Sequence, residues 1–387
     1  MSIRNRYALL QAVYWMINLT AFGYGTYFLQ ESGFRSASIG IILALGGTAA
    51  SALQNILGRM VDRGVSSWRY IMVVLTLIYA VLCAGLYFCS VRFVTAAVFC
   101  FFMCAVNCFM PLLNGVGFYY ERRGIAADYG FSRAFGSLGY ALLSVILGRI
   151  TVACGHLSVP AAGILLSFCL LAVLFFMPCE KETQDMKDND TGSSILMFPS
   201  KYPGFILIVA GCTLSLAFHH ILGIFMINIV ENVGGDSSDM GIANCIAALV
   251  EIPVMLSFSR IIRRIPADRL IIAASACYII RGIIVYNASS VYMIFAAQVL
   301  QAFTFAAVML AGIYYTDDLM KEEDKMKGQA LMGSSFTAGY VIGCIFGGII
   351  IQSGGVETAF ITGIVFAAAG LVLVLAGFRR KKHECSV

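Results

Sequence analysis

CEKETQDMKDNDTGSSILMFPSKY, residues 179–202, is the longest hydrophilic stretch in this 387-residue chain. It holds eight charged residues: Glu180, Lys181, Glu182, Asp185, Lys187, Asp188, Asp190 and Lys201. On either side lie six hydrophobic runs, each too long and too apolar for a soluble core. About 20 helical residues cross the hydrocarbon of a bilayer. The stretch therefore reads as a linker between two membrane bundles, an N-terminal bundle over 1–178 and a C-terminal one over 203–387, the latter ending in a short basic tail.

Composition points the same way. Hydrophobic residues make up 60% of the chain and charged ones only 12%, against about 25% charged in soluble domains. The net charge of +5 sits in the loops, where it sets topology, and is no sign of nucleic-acid binding. Thirteen cysteines lie largely inside apolar runs without metal-like spacing, and free cysteine behaves there as a small hydrophobe. MSIRNRY runs directly into a full-length apolar span with no small-residue cleavage site, so an uncleaved first span is expected.

The expected spans are 8–30, 37–57, 69–89, 92–118, 132–153, 158–178, 203–230, 237–259, 269–287, 291–315, 329–351 and 357–378. With both termini inside, 22 of the 26 Lys and Arg residues fall on the inner side, leaving Arg35, Arg92 and Arg149 outside and Arg281 within span 9. The positive-inside rule then places both ends and the linker in the cytoplasm of a cell whose plasma (inner) membrane the chain crosses many times.

The loop after span 2 reads Gly58-Arg59-Met60-Val61-Asp62-Arg63-Gly64. It resembles the loop signature of the major facilitator superfamily, although Val65, Ser66 and Ser67 replace the usual basic pair. The resemblance implies an all-α polytopic membrane protein: twelve transmembrane helices in two pseudo-symmetric six-helix bundles. It also implies alternating access around a central site, with Gly58, Asp62, Arg63 and Gly64 gating the inner helix ends.

Three stretches resemble the lactose-permease-like proton symporters and their nucleoside and phenylpropionate relatives. They are Leu53 to Gly58; Tyr129 to Arg133 with Phe135-Gly136-Ser137 and Gly139-Tyr140-Ala141; and Glu251-Ile252-Pro253 with Arg263-Arg264 and Arg281. Gln301 and Thr304 stand where lactose permease has a histidine and a glutamate. Gly115 falls near its span 4 glutamate and Ala248 at its span 8 glutamate, which argues against lactose as cargo.

Glu251 is the one acidic residue placed well inside a span, with Asn244 and Ala248 on its face at i, i+4, i+7. Such a group is costly in the membrane and usually lines a cavity. Two readings stand: a proton-coupling site, or a structural ion pair with Arg281, which must itself find an anion or a carbonyl cluster. Arg133 either meets solute or snorkels as an interfacial anchor. His219 and His220 lie about 100° apart in span 7, so one of them is expected to face the cavity. The alternative is a hydrogen bond to a neighbouring helix. Asn18, Asn114, Gln298 and Gln301, with Asn107, Pro111 and Thr304, form polar stripes on spans 1, 4 and 10, suited either to a polar solute or to helix–helix contact.

Residues 317–325 read as a solvated loop. No nucleophile–base pair, Walker sequence or metal constellation is readable, so no enzyme, cofactor or ATP-driven pump is expected. The reading is a proton-coupled symporter, working as a monomer, for a small solute such as a sugar, nucleoside or aromatic acid. The alternatives are a drug or metabolite exporter of the same fold and a non-transporting membrane sensor. The absence of proline from 133–151 tells against export.

Overall fold

The computed structural model describes residues 2–62, 66–178 and 198–384. Most of the linker, together with Arg63 and Gly64, lies outside the described residues.

Among these residues helices joined by short turns make up the chain, with no strand. Span 1 comprises α1 (Ile3–Asn18), a π-helical turn (Leu19–Gly23) and α2 (Gly25–Glu31); spans 2 to 6 are α3 (Ser36–Asp62), α4 (Trp68–Phe88), α5 (Arg92–Glu121), α6 (Tyr129–Cys154) and α7 (Ser158–Phe176). A short α8 (Phe198–Lys201) precedes span 7, which is α9 (Pro203–Ile224) and α10 (Met226–Asn232). Spans 8 and 9 are α11 (Ser237–Ile261) and α12 (Ala267–Tyr286); span 10 is α13 (Val291–Val299), a 3₁₀ turn (Leu300–Phe303) and α14 (Phe305–Leu319). Spans 11 and 12 run together as α15 (Glu322–Glu384), kinked at Gly355, whose φ of +77° only glycine adopts easily.

Ten helices are long and apolar enough to cross a membrane. One of them is the merged pair, and span 1, divided by its π turn, is not among them but completes the bundle. Twelve crossings result.

Spans 1, 7 and 10, expected over 8–30, 203–230 and 291–315, are each interrupted within those limits. Thr20 Oγ1 donates back to the Ile17 carbonyl at 2.7 Å, and Thr304 Oγ1 to the Leu300 carbonyl at 3.1 Å. Such side-chain bonds compete with the helical ladder. In span 7 the break falls at Phe225 (φ −98°, ψ 27°).

The two halves meet at the end away from the basic loops. Spans 2 and 11 touch there through glycine: a Cβ on Gly40 would lie 2.0 Å from the Cys344 carbonyl oxygen, and one on Gly348 2.4 Å from that of Ser36. Spans 5 and 8 do the same at Gly241, where a Cβ would fall 2.3 Å from the Ser144 carbonyl oxygen. Around these contacts Tyr24 OH donates to the Ser144 carbonyl (2.6 Å), Gln30 Nε2 to Glu231 Oε2 (2.8 Å), and the Ala37 N–H to Gln352 Oε1 (3.1 Å). Small residues allow such backbone approach, and packing is the main source of helix association in lipid. Toward the basic end the glycines at 58, 115 and 333 have no neighbour among the described residues within 4 Å of a built Cβ.

At that basic end the solvated loop expected over 317–325 is corrected. Asp317 and Asp318 belong to α14, and Asp324 in the first turn of α15 is fully buried. Its Oδ2 accepts from Lys201 Nζ and from Tyr202 OH (2.9 Å). A carboxylate near a helix N-terminus meets the favourable end of the dipole, and with two donors supplied it can leave water. The sequence conceals this because the donors are the last two residues of the linker stretch, more than 120 residues earlier.

The Asp324 carboxylate holds the Lys201 ammonium above its ordinary value. The lysine's contribution to stability is therefore complete at neutral pH and is lost only as pH rises through the raised value. Asp324→Asn is expected to lower the thermal midpoint of the detergent-purified protein by several degrees. Asp317→Asn, at an exposed pair with Lys325, should leave it unchanged. Equal melting of all three proteins would rule out a latch here.

Candidate functional site

Glu251 lies two residues before the proline inside α11 and is 7% exposed. Asn244 and Ala248 are buried on the same face, as the i, i+4, i+7 spacing predicts. The break in span 10 turns Gln301 toward Glu251, and Gln301 Nε2 donates to Glu251 Oε1 at 3.1 Å.

Arg281 is 2% exposed. Its Nη2 donates to Gln298 Oε1, and the Gln298 amide also approaches Met226 Sδ at 3.4 Å. The expected Glu251–Arg281 pair is corrected: no ion pair joins the two among the described residues. Gln298 and Gln301, one turn apart on span 10, each take one of the charged groups. The guanidinium stays within electrostatic reach of the carboxylate but leaves Nε and Nη1 without a hydrogen-bond partner among the described residues.

Arg133 comes from the other half. Asp128, at φ 50°, caps α6 by accepting the Phe131 N–H at 3.1 Å, and Arg133 emerges in the next turn. Its Nη1 donates to Ser137 Oγ at 2.8 Å, and its guanidinium lies over the Trp15 ring, 3.8 Å from the centroid. Gly136 admits that ring, since a Cβ there would meet Trp15 Cδ1 at 2.4 Å.

Trp15 is fixed in turn. Its Nε1 donates to Gln11 Oε1 (3.1 Å), Gln11 Nε2 to Tyr7 OH (3.0 Å), and Tyr7 OH to the Leu113 carbonyl (3.1 Å). This ladder on span 1 was missed in the sequence reading, although Tyr7, Gln11 and Trp15 share one face at i, i+4, i+8. Arg133 also lies within electrostatic reach of Glu251. Glu251 on α11 and Arg133 on α6 thus belong to the two helices, spans 8 and 5, that pack against each other across the seam between the halves.

The remaining candidates are scattered around this seam. Asn18 is half-buried beside Tyr14, and Asn114 accepts from Tyr129 OH at 3.3 Å. Asn107 donates back to the Met103 carbonyl at 2.8 Å, so it serves its own helix; Pro111 is exposed. His219 stacks on Phe305 at 4.6 Å, while His220 is buried edge-on to Phe336 and Tyr340. His219 Nδ1, His220 Nε2 and Asn244 Nδ2 are buried with no hydrogen-bond partner among the described residues. Gly58 and Asp62 close the last turns of α3 at the basic end, distant in sequence from every group at the seam.

A putative sugar efflux transporter of Deinococcus radiodurans is 24% identical over 371 residues, covering 92% of each chain. The crystal structure of the nucleoside transporter NupG superposes with a TM-score of 0.81 at 16% identity over 98% of this chain and 99% of that one. A bacterial homologue of the human lysosomal transporter Spinster, inward-facing and unoccupied, superposes at 0.71 with 14% identity over 97% and 96%. These likenesses carry the fold: two six-helix bundles of the major facilitator type. The sequence profile of the MFS_1-like family matches residues 13–362, nearly the whole chain, and the protein therefore belongs to that family within the major facilitator superfamily of membrane transporters.

Proposed function

We propose that the protein is a proton-coupled symporter that imports a small polar organic solute, such as a sugar, nucleoside or aromatic acid. The reading rests on one observation above the others. Glu251, the acidic group buried at the seam, is held by Gln301 of its own half and lies within electrostatic reach of Arg133 from the other. A carboxylate so placed changes surroundings whenever the halves move, and loading and unloading a proton requires that change.

On this reading the halves 1–178 and 203–387 rock about the seam, joined by a cytoplasmic linker. The basic end with both termini faces the cytoplasm of the plasma membrane, so the state described above is closed outward. Glu251 carries the proton and Arg281 biases its charge. Arg133 holds the solute, with Asn18, Asn114, His219, His220, Asn244, Gln298 and Gln301 lining its path. Gly58, Asp62, Arg63 and Gly64 gate the inner end, and the monomer suffices.

The relative named for sugar efflux favours a second reading, export by the same fold. Direction separates the two. Right-side-out vesicles given labelled sugars, nucleosides and aromatic acids should accumulate one of them when the outside is made acidic, and should lose that accumulation when a protonophore collapses the gradient. Uptake indifferent to the gradient removes proton symport; accumulation only in inverted vesicles establishes export.

A further inference from the structure

The charges at the seam do not balance. Among the described residues Glu251 is the one carboxylate within electrostatic reach of Arg133 or Arg281, and Arg281 already fills its Nη2 with the neutral Gln298. With Glu251 ionised one positive charge remains over; with Glu251 protonated two remain. Arg281 lies well inside span 9 and Arg133 in the second turn of α6, packed over Trp15; a cation held away from water without compensation is unfavourable and is normally met by an anion or a cluster of carbonyls.

The two arginines differ in access. Arg281 is sealed at 2% exposure. Arg133 is half-buried, and its one hydrogen bond to a described residue uses Nη1. Its remaining donors, on Nε and Nη2, lie in a plane fixed from below by Trp15, which the Gln11–Tyr7 ladder holds in turn. A planar fork of N–H donors held at one orientation matches the geometry of a carboxylate. A lone hydroxyl would need neither the charge nor the plane.

We propose that the cargo is a small organic monocarboxylate whose carboxylate docks on the open side of the Arg133 guanidinium. This rests on the transporter reading and narrows its cargo from sugars, nucleosides and aromatic acids to the acids. One anion with one proton on Glu251 crosses without net charge, and the seam then carries the same charge when loaded as when empty with Glu251 ionised. The histidines leave this balance unchanged while they are neutral; His219 stacks on Phe305 and His220 is buried against Phe336 and Tyr340.

The test uses the purified full chain in detergent. Benzoate, 3-phenylpropionate and hexanoate are each titrated beside their amides, with uridine and melibiose as neutral solutes, and binding is read by thermal shift and calorimetry. At least one acid should bind, with its amide weaker by roughly 10- to 100-fold, the worth of hydrogen bonds to a charged group. Arg133→Gln should remove the preference for acid over amide, and Arg133→Lys, which keeps charge without the fork, should restore part of it. The unliganded melting temperature and elution profile of each variant control for folding, and the acid–amide comparison on the wild type needs no variant.

Equal binding of acid and amide, binding by no acid of the panel, or an acid preference intact in folded Arg133→Gln overturns the proposal. Counterflow in proteoliposomes separates this failure from that of the broader reading. A neutral solute carried with the proton gradient keeps the symporter and removes the acid cargo. An acid that binds but is never carried keeps the ligand class and removes transport.

Discussion

Glu251→Gln is expected to abolish uphill accumulation while leaving downhill exchange of solute intact. A pH difference of one unit is worth about 1.4 kcal/mol per proton, so a one-to-one symporter can concentrate its solute about tenfold. The variant should bring that ratio to unity. Glutamine is nearly isosteric with glutamate and its carbonyl can still accept from Gln301 Nε2, which reaches Glu251 at 3.1 Å in the wild type; the packing of a 7%-exposed position is thus kept. What disappears is the site for the proton. Proteoliposomes loaded with cold solute should still exchange it for label, and the same vesicles under an imposed gradient should not accumulate. If the variant concentrates solute at the wild-type rate, the proton travels elsewhere, and His219 or His220 becomes the next candidate.

Much of this site was legible in the sequence because membrane depth makes polar groups conspicuous. Glu251 stood out as the acidic residue well inside a span and Arg281 as a basic one. Their pairings were not legible. Whether Arg281 meets Glu251 or Gln298 depends on the rotation of span 10, which its 3₁₀ turn at Leu300–Phe303 sets. Spacing along an ideal helix says nothing of that turn. Asp324 was misread for a related reason: a polar run reads as solvated unless the partners that cover it are known, and Lys201 and Tyr202 lie more than 120 residues earlier. The Tyr7–Gln11–Trp15 ladder was hidden in plain spacing, since an aromatic stripe on a membrane span usually means packing alone. Hydropathy fixes which segments cross; the meetings of polar groups between segments are settled by helix breaks and rotations that hydropathy does not carry.

Gly40→Leu is expected to trap the transporter open on its outer face. A Cβ alone at this position would stand 2.0 Å from the backbone carbonyl oxygen of Cys344, and the same pair of helices meets again at Gly348 against Ser36. Backbone cannot swing aside as a flexible side chain can, so spans 2 and 11 must part. Overpacking of this kind costs about 1–3 kcal/mol. Here the cost falls on the outward-closed state alone, because once the halves separate the leucine faces open space. A difference of that size moves a two-state equilibrium by roughly 5- to 150-fold, enough to remove most cycling. Cys344 supplies the readout, being fully buried at this contact. In a background where the other cysteines are replaced, a membrane-impermeant maleimide applied from outside should label Cys344 slowly in the parent and many times faster in Gly40→Leu, while gradient-driven uptake falls to background. Gly333→Leu, on the same span 11 helix with no neighbour within 4 Å of a Cβ, should not change the labelling. Should Cys344 stay unreactive in Gly40→Leu while transport proceeds normally, the outer seal does not lie between spans 2 and 11, and the closing surface would have to be sought at Gly241 and Ser144 between spans 5 and 8.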